Sequence, residues 1–198
     1  MAETSTPAGV AAETPVDRYV IDGRSSRFTV QAFATGLLSK MGHNPIIGIR
    51  DFSGEMRFDP DKLEAGSFRL VIKTASLSVQ DDISSKDIRE IERLMNQEIL
   101  ETAKFPEIVY DAPSISVTKM GDSLCAATLN GNLTLHGVTR SQPIAVRVAL
   151  FGSMLRASGD FALDQTDYDI TLVSFAGGAL KLKNELKFSF EIVARKQE

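Results

Sequence analysis

Tryptophan is absent from this 198-residue chain, which has one cysteine, two histidines and three tyrosines. A lone cysteine, Cys125, excludes an intrachain disulfide framework and fits a reducing compartment. It shares strand parity with Ala127, Leu129 and Leu133, so it reads as a small core residue. Two histidines, one buried thiol and scattered carboxylates fall short of the roughly three or four ligands that zinc requires. No metal site and no catalytic residue is expected. There is no GxSxG elbow, Walker loop or dinucleotide fingerprint. No apolar run approaches the ~20 residues of a transmembrane helix. No basic run occurs, and a net charge of −4 argues against nucleic acid or an anionic lipid surface as the main partner. The start, MAETSTPAGVAAETPVD, lacks the basic and apolar regions of a secretory leader. As given, the sequence predicts cytoplasmic residence, or periplasmic residence for a mature form whose leader has been removed.

Phenylalanine, with 11 copies, supplies most of the aromatic character and suits a greasy interior better than an aqueous recognition surface. At 43% hydrophobic and 24% charged, the chain suits one domain with a sizeable core. Residues 1–16, rich in Ala, Thr, Pro and Glu, read as a disordered N-terminal tail ahead of a barrel domain spanning 17–196.

Period-two alternation dominates from there. Asn130 to Val148 reads as two strands joined at a short polar turn. Leu129, Gly131, Leu133 and Leu135 share one face, opposite Asn130, Asn132, Thr134 and His136. Further strands are read near Asp17–Asp22, around Phe28 and Val30, at Phe52–Phe58, and at Phe68–Ile72. Others follow at Ile108–Ala112, Ile115–Thr118, Ile144–Phe151, Arg156–Leu163 and Leu182–Ile192. One amphipathic helix interrupts them. Ile88, Ile91, Met95 and Ile99 recur at helical spacing over Ser85–Thr102, with a serine cap in front and Asp81 and Asp82 placed to favour its N-terminus. The segment DQTDYDITLVSFAGG is irregular, with room for one helical turn.

The expected fold is all-β with one flanking helix: an antiparallel up-and-down barrel of about eight strands. Small inward residues (Gly54, Ala127, Gly131, Ala157 and Gly159) fit either strong strand bending or unfilled interior volume, and the pattern leaves both open.

The segments YVID, DFSG followed by RFDP, FPEIVYDA, GNLTLHGVTRSQPIAV and KNELKFSFEI stand in an order that resembles the YceI-like family. The resemblance covers about Asp17 to Ala194. It implies a lipocalin-like barrel enclosing a long isoprenoid or similar amphiphile, and it favours an open lumen. Where many members carry a His-containing RDxHL-type motif, this chain reads SKDIREIERL. Asp87 and Arg89 remain without a histidine, so contacts tied to that motif are not carried over.

The candidate lumen residues are then Phe28, Val30, Phe52, Met56, Phe68, Leu70, Phe161, Leu186, Phe188 and Phe190. Asn184 shares their parity and could offer an amide to a quinone or phosphate head. His43, in a loop after Gly42, is a candidate head-group contact, whereas His136 reads as a turn-stabilising residue. The expected function is non-enzymatic binding, storage or transport of an isoprenoid lipid, with no cofactor beyond that bound lipid. The alternatives are a His43-dependent module acting on a lumen-bound amphiphile, or a ligand-free interaction protein using the charged helix. The expected partners are the amphiphile and no nucleic acid; a homodimer stays open.

Overall fold

The computed structural model describes residues 16–35, 44–59, 62–175 and 180–198. His43 and nearly all of the N-terminal tail lie outside them. In chain order the strands begin with β1 (Asp17–Ile21), β2 (Arg27–Gln31), β3 (Ala34–Thr35), β4 (Ile46–Ile49) and β5 (Phe52–Asp59). They continue with β6 (Lys62–Lys73) and β7 (Leu77–Val79), followed by helix α1 (Ser85–Leu94) and a π-helical turn (Met95–Ile99). Next come β8 (Glu107–Lys119), β9 (Leu124–Leu135), β10 (Val138–Ser141), β11 (Ile144–Phe151) and β12 (Met154–Asp164). A 3-10 turn (Gln165–Tyr168) leads to β13 (Ser174–Phe175), β14 (Leu180–Leu182) and β15 (Glu185–Lys196).

Eight strands close a ring in the order β1-β5-β6-β8-β9-β11-β12-β15, and β15 pairs back onto β1. Every pairing is antiparallel, so the expected up-and-down barrel is the architecture formed. Three staves are bent. β2, β4 and β7 continue β1, β5 and β6 towards one end, and β2 pairs with β4 and β4 with β7. The long β15 serves both parts: Ala194–Lys196 lie against β1, while Lys187–Glu191 lie against β2. The first bend is chemical in origin. Asp22 accepts from the Arg24 amide at 3.1 Å and from Ser25 Oγ at 3.0 Å, an Asx-type turn that breaks the strand.

Two expected segments prove to be one strand. Ile108–Ala112 and Ile115–Thr118 both belong to β8, whose register against β9 shifts between Asp111 and Ser114. Pro113, which has no N–H to donate, sits at that irregularity. Conversely, the Asn130–Val148 stretch holds three strands rather than two. β9 turns through His136 (φ 51°) and Gly137 (φ 77°) into the short β10, which folds back on it. β11 then pairs with the earlier half of β9, Ile144 opposite Leu129.

Apolar faces point inward as the alternation requires, but the inward glycines are not voids. A Cβ on Gly131 would lie 2.6 Å from the Tyr110 ring, and one on Gly159 would lie 2.8 Å from the Phe190 ring. Neighbouring aromatic rings occupy the space those glycines leave. One barrel end is plugged: Tyr19 stacks on Phe58 at 5.3 Å and packs with Leu155 and Ala194. The other end carries α1, the β9–β10 turn and the segments 165–175 and 180–182. There β3, β13 and β14 form a small separate sheet.

The helix is shorter than its periodicity predicts. Ser84 caps it, accepting from the Asp87 amide at 3.1 Å and donating to the Asp87 carboxylate at 2.6 Å. After Leu94 the winding widens, with the Leu100 amide bonded to the Met95 carbonyl at 2.8 Å. Glu101, at φ 44°, ends the helical course. Asp81 does not serve the helix N-terminus; it accepts from the Ile46 amide on β4 at 2.8 Å.

Candidate functional site

Inside the barrel lies an apolar cavity of about 450 Å³. Phe28 and Val30 from β2, Met56 from β5, and Phe68 and Leu70 from β6 form part of its wall. Phe161 from β12 and Leu186, Phe188 and Phe190 from β15 form much of the rest. Met56, Phe161, Leu186 and Phe188 point inward yet are only partly buried, because they face open volume rather than packed neighbours. Aromatic pairs hold the wall in shape: Phe161 stacks on Phe188 at 4.7 Å, and Phe28 lies 5.9 Å from Phe190.

Two predicted residues lie elsewhere. Phe52 does not line the cavity; it meets Phe28 edge-on at 4.8 Å and backs the wall. Asn184 is engaged in a turn. Its side-chain carbonyl accepts from the Thr166 amide at 3.0 Å, and its Nδ2 donates to Thr166 Oγ1 at 2.9 Å. Both polar atoms of the amide are therefore spent on closing the 3-10 turn, and neither meets the lumen. The chain leaves the regular strand just before Glu185, so parity counted back from Leu186 does not extend to Asn184.

The structure also adds residues. Ile91, Leu94, Met95, Ile99 and Leu100 bring the helix and its π turn onto the cavity, while Ile170, Val173 and Leu182 cover it from the β12–β15 connection. Their signal is weak, since Ile170 and Val173 sit in a stretch without periodicity. Polar groups at the wall are few. Gln165 is 5% exposed, and its Nε2 donates to the Lys183 carbonyl at 2.9 Å. The Tyr110 hydroxyl lies 3.0 Å from the Leu129 carbonyl and 2.9 Å from that of Gln142. Burial pushes the Tyr110 phenol well above its ordinary range. Among the described residues, no charged side chain lines the cavity.

His136 ties three segments together at the helix end. Its Nε2 lies 2.9 Å from the Glu101 carboxylate and its Nδ1 lies 3.2 Å from the Tyr168 carbonyl, with Phe105 against the ring at 4.4 Å. One imidazole thus joins the end of the π turn, the β9–β10 turn and the 3-10 turn. Among the described residues, no group of three or more His, Cys, Asp or Glu side chains is placed to hold a metal ion. No described helix is long and apolar enough to cross a membrane.

A closed eight-stranded antiparallel barrel around an apolar lumen is the lipocalin-like architecture. The chain belongs to the YceI-like family: the model of the YceI-like domain matches residues 19–194. Protein YceI of Salmonella arizonae is 31% identical over 149 residues, which is 75% of this chain and 66% of that protein. The chain thus spans slightly less than two thirds of that relative's length. Among solved structures, Burkholderia cenocepacia BcnA matches with a TM-score of 0.66 at 17% identity, covering 87% of this chain and 98% of that one. A Saccharophagus degradans domain, described as polyisoprenoid-binding and implicated in plant cell wall breakdown, matches with a TM-score of 0.64. Its identity is 16%, over 90% of this chain and 98% of that one.

Proposed function

We propose that this protein binds an isoprenoid-type amphiphile, such as a quinone or polyprenyl lipid, in the barrel lumen and stores or carries it without chemical change. The cavity of about 450 Å³ with an almost wholly apolar wall carries this reading. The polyisoprenoid-binding description of the Saccharophagus degradans domain supports it. Each buried five-carbon unit contributes on the order of 4 kcal/mol. Association takes back at least ~4 kcal/mol, so about three such units support binding on the micromolar scale.

With no charge at the wall among the described residues, affinity comes from hydrocarbon burial, and the head group gains orientation more than strength. Gln165 replaces Asn184 as the polar side chain offered to it, and His43 stays a candidate beyond the described residues. Arg93 of α1 is paired with Glu90 at 2.9 Å and with Glu98 of the π turn at 3.0 Å.

The test is organic extraction of natively purified protein followed by lipid mass spectrometry. A near-stoichiometric isoprenoid is expected. A reproducibly empty extract from the native host would overturn the assignment.

A further inference from the structure

The plugged end of the barrel carries an exposed apolar cluster that the lumen does not explain. The β8–β9 hairpin exposes Met120 (64%) and Leu124 (43%), and the neighbouring β11–β12 hairpin exposes Phe151 (56%). The Met120 amide donates to the Leu124 carbonyl at 2.9 Å, Leu124 is opposite Ala149, and Ala149 is opposite Arg156. One outward row therefore reads Met120, Leu124, Ala149, Arg156. Phe151 stands one step nearer the tip on the same face of β11, and Arg147 one step behind.

Charge around this cluster runs against that of the molecule. The chain as a whole carries −4, yet residues 119–124 and 151–156 contain one acid, Asp122, against Lys119 and Arg156. Lys119, Arg147 and Arg156 are exposed and make no ion pair among the described residues. Three half-exposed side chains supply on the order of 300 Å² of apolar surface, well short of the ~800 Å² per partner of a stable protein interface. Side chains on two adjacent hairpin tips suit a soft surface they can enter, and the cations beside them favour a negative one.

We propose that this end of the barrel docks onto an anionic lipid surface. Met120, Leu124 and Phe151 enter the interface, while Lys119, Arg147 and Arg156 meet the anionic head groups. The rest of the molecule, being acidic, is repelled, so the barrel stands with its helix end pointing away from the bilayer. This docking goes beyond the lumen's role and holds whether or not the lumen is occupied.

The experiment is flotation of the full chain with vesicles of equal parts phosphatidylglycerol and phosphatidylcholine, and with pure phosphatidylcholine. Binding to the anionic vesicles is expected, roughly tenfold or more weaker on the neutral ones and in about 0.5 M salt. The double variant Met120→Ser/Phe151→Ser and the single variant Arg156→Glu should each lose it. All three positions are exposed, so unchanged unfolding midpoints verify that both variants fold. Failure of the parent protein to float with anionic vesicles overturns the proposal, as does undiminished binding by both variants. A concentration-dependent dimer dissolved by Phe151→Ser, without vesicle binding, also overturns it and gives the surface to a second copy.

Discussion

Tyr110 shows how one side chain both fills and fixes the wall. Its ring occupies the space above Gly131, and its hydroxyl reaches backbone carbonyls on β9 and after β10. Because burial raises the phenol's pKa, the folded state keeps the proton more tightly than the unfolded chain, whose ordinary value is 10.0. The sign follows: this contribution is intact below about pH 10 and is lost as pH rises further. Tyr110→Phe should cost about 1 kcal/mol at neutral pH and flatten the alkaline fall in stability. Urea unfolding at several pH values from neutral to strongly alkaline checks this; an unchanged alkaline limb would remove Tyr110 as its source. At this scale parity made most wall residues legible, since inward side chains on a strand recur every second residue. It failed at Asn184, where the strand has not yet begun, and at Phe52, where the inward face is already occupied by Phe28. Gln165 was beyond its reach because no period runs through a 3-10 turn.

Among the elements, the helix and its π turn cover the cavity together with the β12–β15 connection, and His136 anchors their far end. His136→Asn tests that anchor without disturbing the backbone, because asparagine tolerates the left-handed conformation but is too short to reach Glu101. It should cost about 1–2 kcal/mol. Amides from Ile91 to Leu100 should then exchange faster, and a bound lipid should dissociate faster. Exchange unchanged in that segment would mean that the helix is held by its apolar contacts alone. The strands themselves were legible because alternation is a local signal. The π turn was not, since one widened turn leaves the three- and four-residue spacing of Ile88, Ile91, Met95 and Ile99 undisturbed. β10 was missed for a different reason: its four residues are mostly polar and carry no apolar alternation.

For the molecule as a whole, the decisive property is that the lumen is plugged at one end and open in its middle. Ala157 sits on the cavity wall between its partners Val148 and Ile192. Ala157→Phe should take up cavity volume, leave the fold intact and lower the lipid recovered per protein at least roughly threefold. Extraction with mass spectrometry measures this alongside the unfolding midpoint; equal recovery from a folded variant would place the lipid elsewhere. Whether the lumen is filled or open was the question alternation could not decide, because an inward residue has the same parity in either case. Ring closure was expected as a barrel, but the pairing that makes it, β1 with β15, joins residues nearly the whole domain apart and leaves no local signal.

Closure has a temporal consequence. Tyr19 finds its partner in Lys196, and β15 also supplies the edge on which β2 and β12 depend. While the polypeptide is being synthesised, the first strand can pair with β5, but its other edge must wait, unsatisfied, until almost the last described residue has left the ribosome. Long-range pairing of this kind makes for slow folding and a prolonged interval in which a chaperone or a transport machine meets the chain unfolded. Removing residues 185–198 should abolish the cooperative unfolding transition altogether rather than merely lower its midpoint, as circular dichroism during heating would reveal. A truncated chain that still melted sharply would mean that the remaining seven staves fold without their keystone.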